Sequence, residues 1–87
     1  MSVQTKVFVD LFHNYYSDMM GSEYKGSEDK ELLKMTCKTL KRNKHSIVEY
    51  LIWFFKVIRS QNVVLTIHLA CDSEYIDKFL LENRPRR

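Results

Sequence analysis

Glycine and proline are scarce in this chain, which has two glycines and one proline among 87 residues. An all-β fold needs many tight turns, so that scarcity argues against one and favours long helices. Cysteine is limited to Cys37 and Cys71, with no CxxC pair. That excludes a disulfide scaffold and the close ligand pairs of a structural zinc site. No secretory signal opens the chain: after MSVQTK the apolar run is cut by Asp10. Two isolated thiols without such a signal predict a reducing intracellular compartment, cytoplasmic or nuclear. A membrane-spanning segment is excluded as well, because Glu49 and Lys56 bracket only six uninterrupted apolar residues, against the roughly 20 that a spanning helix needs. Charge is lopsided only mildly, at +3 with a pI near 8.9, enough for attraction to an acidic partner but short of a dedicated nucleic-acid binder.

What is present is apolar material, 45% of residues, ordinary for a globular chain of this length. From Val3 to Met20 it falls in two rows spaced by four: Val7, Leu11, Tyr15, Met19 and Phe8, Phe12, Tyr16, Met20. Such rows make an amphipathic helix with a broad buried face. The segment GSEYKG reads as the loop that follows, with Tyr24 folding over the core. Ser27 stands as N-cap of a second helix running to about Leu40, with Glu28 and Asp29 in its first turn. Its apolar side is Leu32, Leu33, Thr36, Cys37 and Leu40, and Lys30, Lys34, Lys38 and Lys41 form a row on the other side.

Ser46 and Glu49 form an S-x-x-E capping box ahead of the apolar run 46–58. This third helix is apolar in nearly every direction and must be enclosed. The segment 63–71 alternates as a strand would, but a lone strand has no stable home, so it is expected to be a buried helix. Asp72 or Ser73 caps a last helix with Tyr75, Ile76, Phe79 and Leu80 on its apolar side, ending near Asn83. The expected architecture is an all-α bundle of four to five helices around a central hydrophobic helix. Residues 1–83 form one domain and 84–87 a mobile basic tail.

The chemistry-bearing residue types assemble into no catalytic pattern. His68 and Cys71 have H-x-x-C spacing without a second ligand pair. Asp72, Glu74 and Asp77 read as a cap and a solvated edge, and GSEYKG lacks the ending of a phosphate-binding loop. The expectation is a protein that is not an enzyme and carries no cofactor and no metal. The last 40 or so residues resemble the end of an armadillo- or HEAT-like helical repeat. The opening, FHNYYS then GSEYKGS then ELL, resembles the first half of a small calcium-binding EF-hand protein, but no D-x-D-x-D-G-type loop follows.

These readings point to a noncatalytic protein-interaction module, self-associating or a piece of a larger helical-repeat protein. Its candidate contact residues are Tyr15, Met19, Met20, Trp53 and Phe54, residue types that dominate protein interfaces. The alternative is a small nucleic-acid-associated protein using Lys30, Lys34, Lys38, Lys41 and Arg42.

Overall fold

The computed structural model describes residues 3–83, and within them the chain forms five helices in succession. These are α1 (Val3–Met20), α2 (Lys30–Arg42), α3 (Ile47–Ile58), α4 (Ile67–Ala70) and α5 (Ser73–Glu82). No strand occurs among the described residues, and the all-α bundle expected from composition is the fold. The basic tail 84–87 lies outside the described residues.

Helix α3 is the shared neighbour of the others, and aromatic rings set its position. Phe8 meets Tyr50 at 6.4 Å between centroids, and Phe12 and Tyr15 meet Phe55 at 5.3 and 5.6 Å. Numbers rise together along both helices, so α1 and α3 run parallel. On the other side Tyr50 meets Phe79 at 5.2 Å and Phe54 meets Tyr75 at 5.4 Å, which makes α5 antiparallel to α3. Phe8, Phe12, Leu33, Leu40, Tyr50, Leu51 and Phe54 have no exposed surface. Buried Tyr50 donates its hydroxyl to the Ala70 carbonyl, joining α3 to α4 without leaving a polar atom unpaired.

The capping box is present in full. The Glu49 amide donates to Ser46 Oγ at 3.0 Å, and the Ser46 amide donates to Glu49 Oε1 at 2.9 Å. Asp72 caps α5 by accepting from the Glu74 amide at 2.9 Å. Both caps are local in sequence, which is why they were readable.

Four expectations need correction. Helix α2 is capped by Asp29, whose Oδ1 accepts from the Leu32 amide at 3.1 Å, not by Ser27. Residues 23–29 are drawn out because Tyr24 leaves the loop to enter the core at 6% exposure. There its ring packs edge-on against Phe12, and its hydroxyl donates to the Ser27 carbonyl at 3.4 Å. Gly26 is required beside it, since a Cβ there would sit 2.2 Å from the Tyr24 hydroxyl oxygen.

Second, 63–71 is not one buried helix. Only Ile67–Ala70 is helical, and Val63 and Val64 are 44% and 83% exposed. β-branched Val63, Val64 and Thr66 lose side-chain freedom in a helix. Thr66 instead caps α4 by accepting from the Leu69 amide at 3.1 Å, and the Ile67 amide is drawn away to the Tyr24 hydroxyl, also at 3.1 Å.

Third, α3 is not enclosed in every direction: Val48 and Ile52 are 43% and 53% exposed. Fourth, the buried face of α1 is Thr5, Phe8, Val9 and Phe12, while Val7 and Met20 lie outside it. The face turns because α1 touches two helices. Phe8 and Phe12 serve α3, while the Thr5 hydroxyl bonds the Cys37 thiol of α2.

Candidate functional site

The five candidate contact residues do not share one surface. Phe54 has no exposed surface and belongs to the core. Trp53 is half-buried at the α3–α5 contact, 5.4 Å from the Phe79 ring, with Nε1 donating to Glu82 Oε1 at 3.3 Å. Tyr15 is half-buried against Phe55.

Met19 and Met20 stand apart from these at the C-terminal end of α1. Gly21, at φ 71°, closes that helix by donating its amide to the Ser17 carbonyl at 2.9 Å. The two methionines form one wall of a hollow of about 400 Å³, whose opposite wall is Val63, Val64 and Leu65, with Ile58 and Arg59 at the end of α3. The valine wall was missed in the sequence. The signal for it was VVLT directly after polar SQN, a cluster of β-branched residues that suits extended, partly exposed chain better than a buried helix.

A second hollow, about 510 Å³, runs between α2 and α5, with Leu32, Met35 and Ile76 as apolar lining and Asp72 and Asp77 along one edge. The H-x-x-C pair borders it but is split: His68 is exposed whereas Cys71 is buried. Burial pushes the Cys71 thiol up to about 11, opposed by its hydrogen bond with Thr36. Burial also raises the Cys37 thiol, opposed by its hydrogen bond with Thr5. Both sulfurs therefore stay protonated at neutral pH and are poor nucleophiles. Among the described residues no group of three His, Cys, Asp or Glu side chains could hold a metal ion.

Lys30, Lys34, Lys38 and Lys41 are all exposed, and none is paired with a carboxylate among the described residues. Arg42 is exposed too and, four residues past Lys38, it continues the row Lys30–Lys34–Lys38 at the C-terminal end of α2. Lys44, held at φ 61°, follows the end of α2. With Gln4, Lys41, His45 and Ser46 it borders a third hollow of about 350 Å³.

His45 is nearly enclosed. Its ring lies edge-on to Phe79 at 4.8 Å, and Nδ1 has no hydrogen-bond partner but faces Glu49 Oε2 at 3.9 Å. The Ser46 backbone amide holds the Glu49 carboxyl below its ordinary value, so that side chain is an anion at neutral pH.

Among the described residues no helix is long and apolar enough to cross a membrane. Compared with known proteins, the chain matches no family model, no curated protein and no solved structure. The helical-repeat and EF-hand resemblances accordingly gain no relative.

Proposed function

We propose that the chain is a noncatalytic protein-interaction module that docks a partner in the hollow between Met19–Met20 and Val63–Leu65, without cofactor or metal. The observation that carries this reading is exposed apolar surface on both walls of one concavity: Met20 is 52% and Val64 83% exposed, with Val63 at 44%. Covering such surface recovers roughly 25 cal/mol per Å², and flexible methionine side chains can adapt to the shape that enters. Arg59 at the end of the hollow selects the occupant. It favours an apolar segment flanked by an acidic residue, a pairing that fixes orientation more than affinity. The unpaired lysine stripe steers the approach of the same acidic partner. The two unpaired, buried thiols favour a reducing intracellular setting.

Selection of displayed helical peptides against the full chain tests this reading. Peptides with an apolar stripe and an acidic flank are expected, and Val64→Asp should weaken their binding by at least about tenfold, equal to 1.4 kcal/mol. Because Val64 is so exposed, the variant should keep its helical circular dichroism. Selected peptides that bind Val64→Asp and Met20→Asp as well as the original chain would refute the docking site.

The second reading, contact with a nucleic-acid backbone, has one observation in its favour: none of the stripe lysines is ion-paired among the described residues. It predicts binding to a duplex or single strand that falls steeply with salt and is lost when Lys34 and Lys38 are both changed to Glu. No binding to any oligonucleotide at low salt would dispose of it.

A further inference from the structure

The outer flank of α3 carries a pattern that the hollow does not use. Reading along the exposed side from the N-terminal end, it runs Val48, Glu49, Ile52, Lys56. Val48, Ile52 and Lys56 form one row by steps of four, and Glu49 and Lys56 lie on nearly one line, two turns or about 10.5 Å apart. The flank thus sets apolar Ile52 between an acid and a base, with Val48 beside the acid. Ile52 and Val48 are 53% and 43% exposed, although the opposite side of the helix is fully packed.

Beside it, α1 contributes a second apolar row. Steps of four run through Val3, Val7, Leu11 and Tyr15, and the last of these touches Phe55 of α3. Only the Tyr15 end of this row borders the α1–α3 seam, because a row of fours turns by about 40° at each step. Val7 and Val3, at 39% and 80% exposure, turn progressively out to solvent, which leaves Val48 and Ile52 of α3 as the apolar centre of the strip.

We propose that this seam is a homodimer interface, in which α3 of a second copy lies antiparallel across α3 with the two-fold axis beside Ile52. The charge pattern selects the occupant. A two-fold axis at the midpoint between Glu49 and Lys56 brings Glu49 of each copy level with Lys56 of the other, forming two ion pairs around an apolar centre. A surface that meets itself in this way is the requirement for a closed, isologous pair. Charged residues that flank an apolar helix seam set which helix pairs with which, and in which direction.

Glu49 can serve both roles. Oε1 holds the Ser46 amide in the capping box, and Oε2, 3.9 Å from His45 Nδ1, belongs to a side chain that is 58% exposed and open to a second charged partner. Lys56 is exposed and has no carboxylate partner among the described residues. A standard interface covers roughly 800 Å² per partner, which is about one-eighth of the chain's 6171 Å². The interface is separate from the Met19–Val64 hollow, so the two proposals stand or fall independently.

Sedimentation equilibrium of the full chain over a concentration series tests the proposal. The expected mass rises from 10.5 kDa toward twice that value, about 21 kDa. Ile52→Asp should hold it at the lower value, with helical circular dichroism retained as a control on folding. Glu49→Lys alone and Lys56→Glu alone each place like charges at both ends of the pair and should weaken self-association at least tenfold. An equimolar mixture of these two variants restores opposite charges at both ends and should recover the dimer, a result that loss of the α3 cap in Glu49→Lys cannot produce. A chain that stays at 10.5 kDa up to about 1 mM, the weak end of specific affinity, overturns the proposal. So does a dimer that survives Ile52→Asp, a dimer lost with Val64→Asp instead, or a mixture that fails to recover.

Discussion

The two sides of α3 are built from similar residues and live in different worlds. On the inner side Tyr50, Leu51, Phe54, Phe55 and Ile58 are buried among α1, α4 and α5. On the outer side Val48 and Ile52 are about half in solvent. Leu51 and Ile52 are adjacent in sequence and near-equal in hydrophobicity, yet one has no exposed surface and the other 53%. Apolar character states that a side chain gains from cover. It does not state that the same chain supplies it.

Measurements on the two sides should separate sharply. The largest effect belongs to Phe54→Ala, which removes a fully enclosed ring and should cost about 3–5 kcal/mol in urea unfolding. Equal loss from Ile52→Ala would erase the distinction between the sides.

Next comes alkaline pH. Cys71 is raised from 9.0 to about 11 by burial, and Tyr50 is raised as well, chiefly by burial. The folded state then holds protons that the unfolded chain releases. Stability is fully present below pH 9 and declines as pH rises toward 11, by about 2–3 kcal/mol for the thiol alone. A stability curve flat across that window would show that the inner side is wetter than described.

Tyr50→Phe removes the donor to the Ala70 carbonyl and should cost about 1–2 kcal/mol, with α4 loosening first by amide exchange. Ser46→Ala breaks the cap at the start of α3, a contact that belongs to neither side, and should cost about 1 kcal/mol. The smallest effect is Ile52→Ala, within about 0.5 kcal/mol for the monomer. Measured at high chain concentration, the same change should cost more, because the dimer contact is lost with it.

Most of the helices could be read in advance, and α1 and α5 have nearly the expected bounds. The box at Ser46 and Glu49 was legible because its two hydrogen bonds join residues three apart. Tyr24 was anticipated over the core, but not its consequences. Its hydroxyl reaches Ser27 and Ile67, which displaces the start of α2 to Asp29 and shortens the helix at 67–70. The contact residues were the least legible. Phe54 and Trp53 were chosen for their chemistry, whereas exposure fell to Met20, Val63, Val64, Val48 and Ile52. A helical step of 100° places residues around an axis but does not show how many neighbours stand there.

The amino-acid sequence alone determined the all-α class, the amphipathic helices and the caps at Ser46 and Asp72, because those depend on hydrogen bonds and periodicities within a few residues. Only the tertiary structure decided which apolar sides are covered, where Tyr24 inserts and which walls face across the hollow at Met20. These rest on contacts between residues 20 to 43 positions apart, such as Tyr50 with Ala70 and Tyr24 with Ile67, and no local pattern encodes which neighbour will be there.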